Sequence, residues 1–117
     1  MIISDLEARD GDSALKEMVG FLKHKNQIAK EKDLWEKLFQ RESLGSTAIG
    51  NGFAVPHCKL KGLKDPIFML AVSHEGVEFR SPDGKPSNIF FLVVSAPENP
   101  SLNLQILAAV AQLIRKS

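Results

Sequence analysis

The order of hydrophobic and polar residues divides the chain into a helical first third and a strand-rich remainder. In the first forty residues, apolar side chains recur at the three- and four-residue spacing of amphipathic helices. One helix is predicted to start at Asp12 or Ser13, either of which can cap it. Its apolar face holds Leu15, Met18, Val19 and Leu22. A second helix is predicted over residues 29–40, and its inward positions are Leu34, Trp35, Leu38 and Phe39.

After residue 44, turn residues and short apolar runs predict strands. Residues 47–49 and 53–55 flank Gly50-Asn51-Gly52, which predicts a hairpin. The apolar runs 67–72 and 89–94 are typical of central strands, and a short strand is predicted over residues 77–80 between two turns. A last helix is predicted from about Pro100, with an apolar stripe of Leu104, Leu107, Ala108, Ala111 and Ile114. This order predicts a single α/β (α+β) domain, a mixed central sheet flanked by helices.

Composition and charge exclude several classes of protein. The 117 residues are 44% hydrophobic and 25% charged, as in one ordinary globular domain. A formal net charge of +1 argues against a nucleic-acid binder. No apolar run approaches the roughly 18 residues of a membrane span, and acidic residues occupy the start, where a signal peptide would be basic. With a single cysteine and therefore no internal disulfide, the chain is expected to be cytoplasmic and not inserted in a membrane.

Three histidines are candidates for chemistry, because imidazole changes its protonation near neutral pH. His24 lies between two lysines at a predicted helix end, where a solvated cation is the simpler interpretation. His74 lies in a Ser-His-Glu-Gly turn and is expected to be exposed. The three are widely separated and show no paired ligand spacing, so no metal site is predicted.

His57 differs from the other two in its neighbours. Pro56 has a fixed φ and keeps the preceding residue extended, so the direction in which the imidazole leaves the backbone is set. Upstream, Gly45-Ser46-Thr47 and Gly50-Asn51-Gly52 hold hydroxyl and N–H groups that an oxyanion could use, and their glycines are expected to permit positive φ. Arg41 offers a planar fork suited to a phosphoryl group. From these residues alone, a structural and a catalytic histidine are both open interpretations.

Residues 41–57 read RESLGSTAIGNGFAVPH and resemble a known active-site signature. It is that of enzyme IIA of the phosphoenolpyruvate sugar phosphotransferase system, in the fructose–mannitol class that includes nitrogen-regulatory enzyme IIA. The pattern R-E-x-L-G-S-T-x-I-G-x-G-x-A-x-P-H is met at every defined position. Residues 89–98, IFFLVVSAPE, resemble the second central strand of that family and its Ala-Pro-Glu ending. The resemblance runs in order along residues 1–117.

The resemblance implies a phosphoryl carrier. His57 would take a phosphoryl group from the phosphohistidine of the carrier protein HPr and pass it to an enzyme IIB domain. A neutral imidazole offers an unprotonated nitrogen as nucleophile, and the loose transition state asks mainly for positioning and charge stabilisation. Arg41 and Thr47 would hold phosphoryl oxygens, although a helix-end cation and a β-branched strand residue explain them equally simply. No metal or cofactor is expected.

The chain departs from the family pattern at two places. Many members carry a second histidine near the phosphorylated one, and the matching position here is Asn103, which can form hydrogen bonds but cannot relay a proton at neutral pH. We expect Asn103 to orient the imidazole or a phosphoryl oxygen. The sequence ends at Ser117, so the domain is expected to lack the short strand and closing helix that usually follow. Cys58, where the family often has glycine, is interpreted as an incidental thiol.

Two other interpretations stay open. A nitrogen-regulatory type of module would bind different regulatory target proteins according to whether His57 is phosphorylated, because a phosphoryl group adds about −1.5 to −2 charges to an interface. A degenerate scaffolding domain would fit Asn103 and the short end, but the joint presence of Arg41, Thr47 and His57 argues against it. A homodimer is possible, and the sugar, if there is one, cannot be identified from the sequence.

Overall fold

Six strands form one mixed sheet, and two helices pack on it, in the part of the chain that the structure describes. This computed structural model describes residues 2–63 and 65–97 and, beyond them, Gln105, Ala108, Ala109 and Gln112. The helices are α1 (Gly11–His24) and α2 (Glu31–Ser43). The strands are β1 (Ile2–Ile3), β2 (Ala48–Gly50), β3 (Phe53–Ala54), β4 (His57–Lys59), β5 (Ile67–Val77) and β6 (Ser87–Ser95).

The two long strands lie at the centre of the sheet. β5 and β6 run antiparallel, and β1 pairs in parallel with the other side of β5. The second side of β6 pairs in parallel with β3 and then with β4, while β2 pairs antiparallel with β3. The predicted mixed sheet, its hairpin and its two central strands are therefore confirmed.

The first helix buries the face that its spacing predicted but starts earlier. Leu15 and the other three predicted positions of α1 are buried in the core. Its cap is Asp10 rather than Asp12 or Ser13, because the Asp10 carboxylate accepts the Ser13 N–H at 2.9 Å. Asp12 instead lies in the first turn, where a negative charge faces the positive end of the helix dipole.

The second helix starts at Glu31, two residues later than predicted, and ends at Ser43, just before the predicted turn residues, so Arg41 lies in its last turn. Leu34 and Leu38, one turn apart, are buried, and Trp35 is half-buried. Phe39 is 39% exposed, so the prediction that it turns inward is wrong. It lies about 100° further round the helix than Leu38 and stacks on Trp35, with ring centroids 5.1 Å apart.

Pro56 interrupts the strand that carries His57 without changing its register. Ala54 lies opposite Phe90 and His57 opposite Val93, at the same offset along β6. Because proline has no N–H, the ladder loses a donor there and the strand divides into β3 and β4. The Pro56 carbonyl still accepts the Val93 N–H at 3.0 Å. The strand therefore resumes at His57 and extends beyond the predicted strand of residues 53–55.

β5 continues to Val77, although a separate strand was predicted over residues 77–80. The Glu75-Gly76 segment is not a turn between strands, because the register shift between Val72 and Val77 absorbs it within β5. Gly76 has a φ of +95°, and a Cβ there would lie 2.8 Å from Cβ of Pro86. Only glycine therefore fits this irregularity.

The last predicted helix lies largely outside the described residues. Gln105, Ala108, Ala109 and Gln112 are helical and exposed, and Ala108 is thus exposed although it belongs to the predicted apolar stripe. The rest of that stripe and Asn103 are not among the described residues. Within the described part, neither helix combines the length and the apolar character needed to cross a membrane.

Asp83 ties the β5–β6 connection to the turn between β2 and β3. Its carboxylate accepts the Ser81 hydroxyl at 2.7 Å and the N–H groups of Lys85 and Asn51, each at 3.0 Å. These donors, the Ser81 hydroxyl first, lower the pKa of Asp83 from 3.8 to about 2. A carboxylate whose pKa is lowered by folding stabilises the fold above its ordinary pKa, and this contribution is lost as the pH falls through the lowered value.

We expect Asp83→Asn to lower the free energy of unfolding at neutral pH, and the difference from the wild type to shrink as the pH falls from 3.8 towards 2. Urea unfolding at a series of pH values measures both effects. Asp65→Asn, at an exposed loop position, is the control. A difference that is constant with pH would contradict the role assigned to the Asp83 charge.

Candidate active site

The C-terminal end of α2 and the start of β4 bring Arg41 and His57 into contact. The Nε–H of Arg41 donates to Nε2 of His57 at 3.3 Å, and Nη1 of Arg41 donates to the Gly45 carbonyl at 2.8 Å. The loop that carries Gly45 therefore holds the guanidinium beside the imidazole. Gly45 has a φ of +151° and Gly50 and Gly52 also have positive φ, as predicted. Arg41 and His57, which the sequence separates by 16 residues, form one site.

Both ring nitrogens of His57 have partners, and these partners define the tautomer. Nδ1 lies 2.8 Å from the Val55 carbonyl, which can only accept, so Nδ1 carries the hydrogen. Arg41 can only donate, so Nε2 holds a free electron pair. The half-buried imidazole is thus neutral, with Nε2 as its acceptor atom. An imidazole in this state can act as a nucleophile through Nε2 once the Arg41 N–H leaves that electron pair.

Glu42, which our sequence analysis assigned no role, lies next to Arg41 and binds Thr47 twice. One carboxylate oxygen accepts the Thr47 N–H at 3.2 Å, and the other accepts the Thr47 hydroxyl. Thr47 is 6% exposed. Its hydroxyl donates its one hydrogen to Glu42 in this structure. With the helix end at Ser43, one signal could have identified Glu42, because an acidic residue in the last turn of a helix opposes the dipole and needs a compensating partner.

Burial raises the pKa of the Glu42 carboxyl above its ordinary value of 4.5. The two hydrogen bonds from Thr47 and the nearby charge of Arg41 act in the opposite direction and offset part of that effect. A cavity of about 300 Å³ borders Glu42, and Phe79 and Arg80 also line it, but it does not include Arg41 or His57. The candidate active site is therefore at the surface beside this cavity, not inside it.

The Gly50-Asn51-Gly52 turn is not part of this site. The Asn51 N–H donates to Asp83 at 3.0 Å, and the Gly52 carbonyl accepts backbone N–H groups of β6. Residues 53–57 follow β6 in one register, which places the turn roughly 15 Å from His57. The prediction that N–H groups of this turn serve an oxyanion at His57 is therefore wrong.

The remaining residues of interest lie apart from His57. The Ser46 hydroxyl donates to the Phe79 carbonyl at 2.6 Å and accepts from Ala48 N–H, so it has a structural partner. His24 ends α1 and is exposed, as predicted, and His74 is exposed on β5. Among the described residues, no cluster of three or more His, Cys, Asp or Glu side chains could hold a metal ion. Asn103 lies outside the described residues.

A family model described as "Phosphoenolpyruvate-dependent sugar phosphotransferase system, EIIA 2" matches residues 1–117. The chain belongs to this EIIA family. A solved structure of nitrogen regulatory protein IIA-Ntr from Neisseria meningitidis superposes with a TM-score of 0.86 at 31% identity, covering 95% of this chain and 75% of that one. The mixed sheet with its packed helices is thus the EIIA fold.

Two relatives known by sequence carry different functional names. A nitrogen regulatory protein of Bradyrhizobium diazoefficiens is 41% identical over 86 residues, covering 73% of this chain and 56% of its own length. A fructose-specific EIIABC component from Bacillus subtilis is 27% identical over 112 residues, covering 96% of this chain and 18% of its own length. The chain thus spans about half of the first relative and less than a fifth of the second.

Cys58 follows His57 in this EIIA domain but has different chemistry. Its side chain is half-buried and belongs to the edge of the core, and burial raises the pKa of the thiol from 9.0 to about 12. Lys37 nearby lowers the pKa only in part. Since the thiolate is the reactive form, this thiol is unreactive at neutral pH while the protein is folded. The geometry agrees with the interpretation of Cys58 as an incidental thiol.

We therefore expect iodoacetamide to alkylate Cys58 slowly in the folded protein and at the rate of a free thiol in urea. The rise of the pKa to about 12 predicts a rate lower by roughly 100-fold or more at mildly alkaline pH. Intact mass against time measures both rates, and free cysteine added in the same tube calibrates the reagent. Equal rates in the folded and unfolded protein would show that the thiol is open to solvent and activated.

Proposed function

We propose that this EIIA domain is a cytoplasmic phosphoryl carrier in which His57 is the phosphorylated residue. The observation that carries the proposal is the pair of contacts at the imidazole. Val55 keeps the hydrogen on Nδ1, and Arg41 lies at Nε2, so a nucleophilic nitrogen and a cation suited to phosphoryl oxygens occupy one partly exposed spot. Family membership supports the same chemistry, since the family is defined within the phosphotransferase system.

In the proposed reaction, the electron pair of Nε2 attacks the phosphorus of a phosphohistidine on the donor protein. The bond from Nε2 to phosphorus forms as the bond from phosphorus to the donor nitrogen breaks, and the donor imidazole leaves with that electron pair. The hydrogen of His57 stays on Nδ1 throughout, donated to the Val55 carbonyl, so no proton has to be supplied or removed. The transfer to an acceptor repeats the same exchange in the opposite direction. The protein contributes position and charge stabilisation rather than acid–base chemistry.

Arg41 has to move during this reaction, because its Nε–H occupies the electron pair that attacks. The guanidinium has other N–H groups that can bind the equatorial oxygens of the incoming phosphoryl group. The bond from Nη1 to the Gly45 carbonyl holds the side chain nearby during the exchange. Arg41 thus shields the nucleophile in the free protein and stabilises charge in the transition state.

Thr47 and Asn103 are the other residues that we propose for phosphoryl binding. The Thr47 hydroxyl would reach a phosphoryl oxygen only by giving up its bond to Glu42, so its contribution in the free protein is to hold the loop before β2. Asn103 would offer its side-chain amide as a hydrogen-bond donor to a phosphoryl oxygen. No metal or cofactor takes part in the proposed mechanism.

HPr is the proposed donor, and an enzyme IIB domain is the proposed acceptor. Support for the acceptor comes from the Bacillus subtilis relative, whose name places A, B and C components in one protein. The second candidate function is that of a regulatory module whose targets distinguish phosphorylated from free His57. The nitrogen regulatory relative, at 41% identity, favours this candidate. The two functions share the first step and differ in the protein that meets the phosphorylated domain.

His57→Ala is expected to abolish phosphorylation by phosphoenolpyruvate, enzyme I and HPr, because no other described residue offers a neutral imidazole beside an arginine. Intact mass before and after acid treatment measures one acid-labile phosphoryl group in the wild type. His24→Ala and His74→Ala are matched controls and should be labelled fully. Label that persists in His57→Ala would refute the assignment, and an unlabelled, folded wild type with active HPr would refute the carrier function.

Arg41→Lys is expected to slow transfer from phospho-HPr by about 10- to 100-fold, because one ammonium cannot bind the Gly45 carbonyl and several phosphoryl oxygens in a fixed geometry. The free energy of unfolding should change little. Rapid-quench measurement of the transfer rate, with urea unfolding in parallel, separates the two effects. Arg9→Lys is the matched control at an exposed arginine that pairs with Glu75 at 2.8 Å. Equal transfer rates for Arg41→Lys and Arg9→Lys would remove the proposed role of Arg41.

A further inference from the structure

The carboxylate of Glu42 is connected to the imidazole of His57 by an unbroken series of contacts. Glu42 accepts both the N–H and the hydroxyl of Thr47. The Thr47 carbonyl accepts the Val55 N–H at 3.0 Å. The Val55 carbonyl in turn accepts Nδ1–H of His57 at 2.8 Å. Glu42 is thus linked, through Thr47 and Val55, to the hydrogen bond that sets the tautomer of His57.

The series closes on itself through the neighbour of Glu42. Arg41 donates to Nε2 of His57, and Arg41 and Glu42 are consecutive residues in the last turn of α2. One ring nitrogen is therefore held directly from this helix end, and the other is held through Thr47 and Val55. A shift of Thr47 relative to α2 would move the Val55 carbonyl relative to the Arg41 guanidinium. The imidazole could then no longer keep its hydrogen bonds to both groups.

We propose that Glu42 is a positioning residue for His57, which acts through Thr47 and Val55 to keep the hydrogen on Nδ1 and the electron pair on Nε2. Its effect on rate rests on the proposed phosphoryl transfer. Its effect on the tautomer is a property of the free protein and can be tested without any partner.

The chemistry of the carboxylate explains why this position holds glutamate. Thr47 presents two donors to one side chain, and an ionised carboxylate has an acceptor oxygen for each, whereas a glutamine amide has one acceptor oxygen. A negative charge in the last turn of a helix and away from water is otherwise unfavourable. Its two hydrogen bonds with Thr47 and the adjacent Arg41 charge compensate for that cost.

The nitrogen chemical shifts of ¹⁵N-histidine test the proposal in the unphosphorylated protein. In the wild type above neutral pH, His57 should show a protonated Nδ1 and an unprotonated Nε2. In Glu42→Ala the preference should weaken to a mixture of both tautomers, and Glu42→Gln, which keeps one acceptor, should give an intermediate mixture. Glu36→Ala is the matched control, since Glu36 lies on the same helix and makes only a surface pair with Lys32 at 4.0 Å.

Thr47→Val covers the case in which Glu42→Ala does not fold, because it removes the hydroxyl donor and keeps the N–H. It should shift the tautomer in the same direction as Glu42→Gln. Transfer from phospho-HPr should fall by about 10- to 100-fold in Glu42→Ala, as expected for a misplaced nucleophile. An unchanged tautomer in the folded Glu42 and Thr47 variants would overturn the proposal, whatever their rates.

The tautomer and the labelling report on separate claims. A tautomer that changes in Glu42→Ala, in a wild type that accepts no phosphoryl group, would support Glu42 as a positioning residue and refute the carrier function. A wild type that accepts the group, with Glu42 variants whose tautomer and rate match those of Glu36→Ala, would support the carrier function and overturn the positioning role.

Discussion

The hydrogen bond from Nδ1 of His57 to the Val55 carbonyl is the interaction on which the site depends. Pro56, between the two residues, has a fixed φ and keeps Val55 extended, and pairing with β6 resumes in the same register at His57. The carbonyl before the proline is free to face the histidine that follows it. The interruption of the sheet at Val55 and Pro56 thus places an imidazole with one defined tautomer at the start of β4.

The second half of the site is a helix end. Arg41 lies where a cation is favoured by the helix dipole, and the loop that follows turns back through Gly45, whose carbonyl binds the guanidinium. Glu42 lies where a negative charge is disfavoured, and Thr47 compensates for it. Two consecutive residues of opposite charge therefore attach the helix end to His57 at the start of β4 and to Thr47 just before β2.

Local patterns predicted the elements, whereas long-range contacts determined their limits. The spacing of Leu34 and Leu38 located the second helix, but it does not show that Arg41 in the last turn contacts His57 on β4 or that Glu42 contacts Thr47 before β2. The motif identified Arg41 and His57, because a sequence pattern specifies residue types at fixed spacings along the chain. The motif also suggested that the turn around Asn51 lies near His57. Closeness in sequence does not reveal that the extended residues 53–57 separate the two. The role of Glu42 was not predicted, because the helix was predicted to end at residue 40, which left Glu42 outside a helical last turn.

The proposed phosphorylation of His57 would serve a carrier and a switch equally well. Transfer between two imidazoles exchanges one nitrogen–phosphorus bond for another, so the protein has to supply position and little energy. A rigid sheet with an arginine at the nucleophile meets this requirement whatever protein receives the group. The distinction between sugar transport and regulation then lies in the surface that meets the phosphorylated domain, not in Arg41, Glu42 or His57. This agrees with the similarity of the chain both to a relative named for fructose transport and to one named for nitrogen regulation.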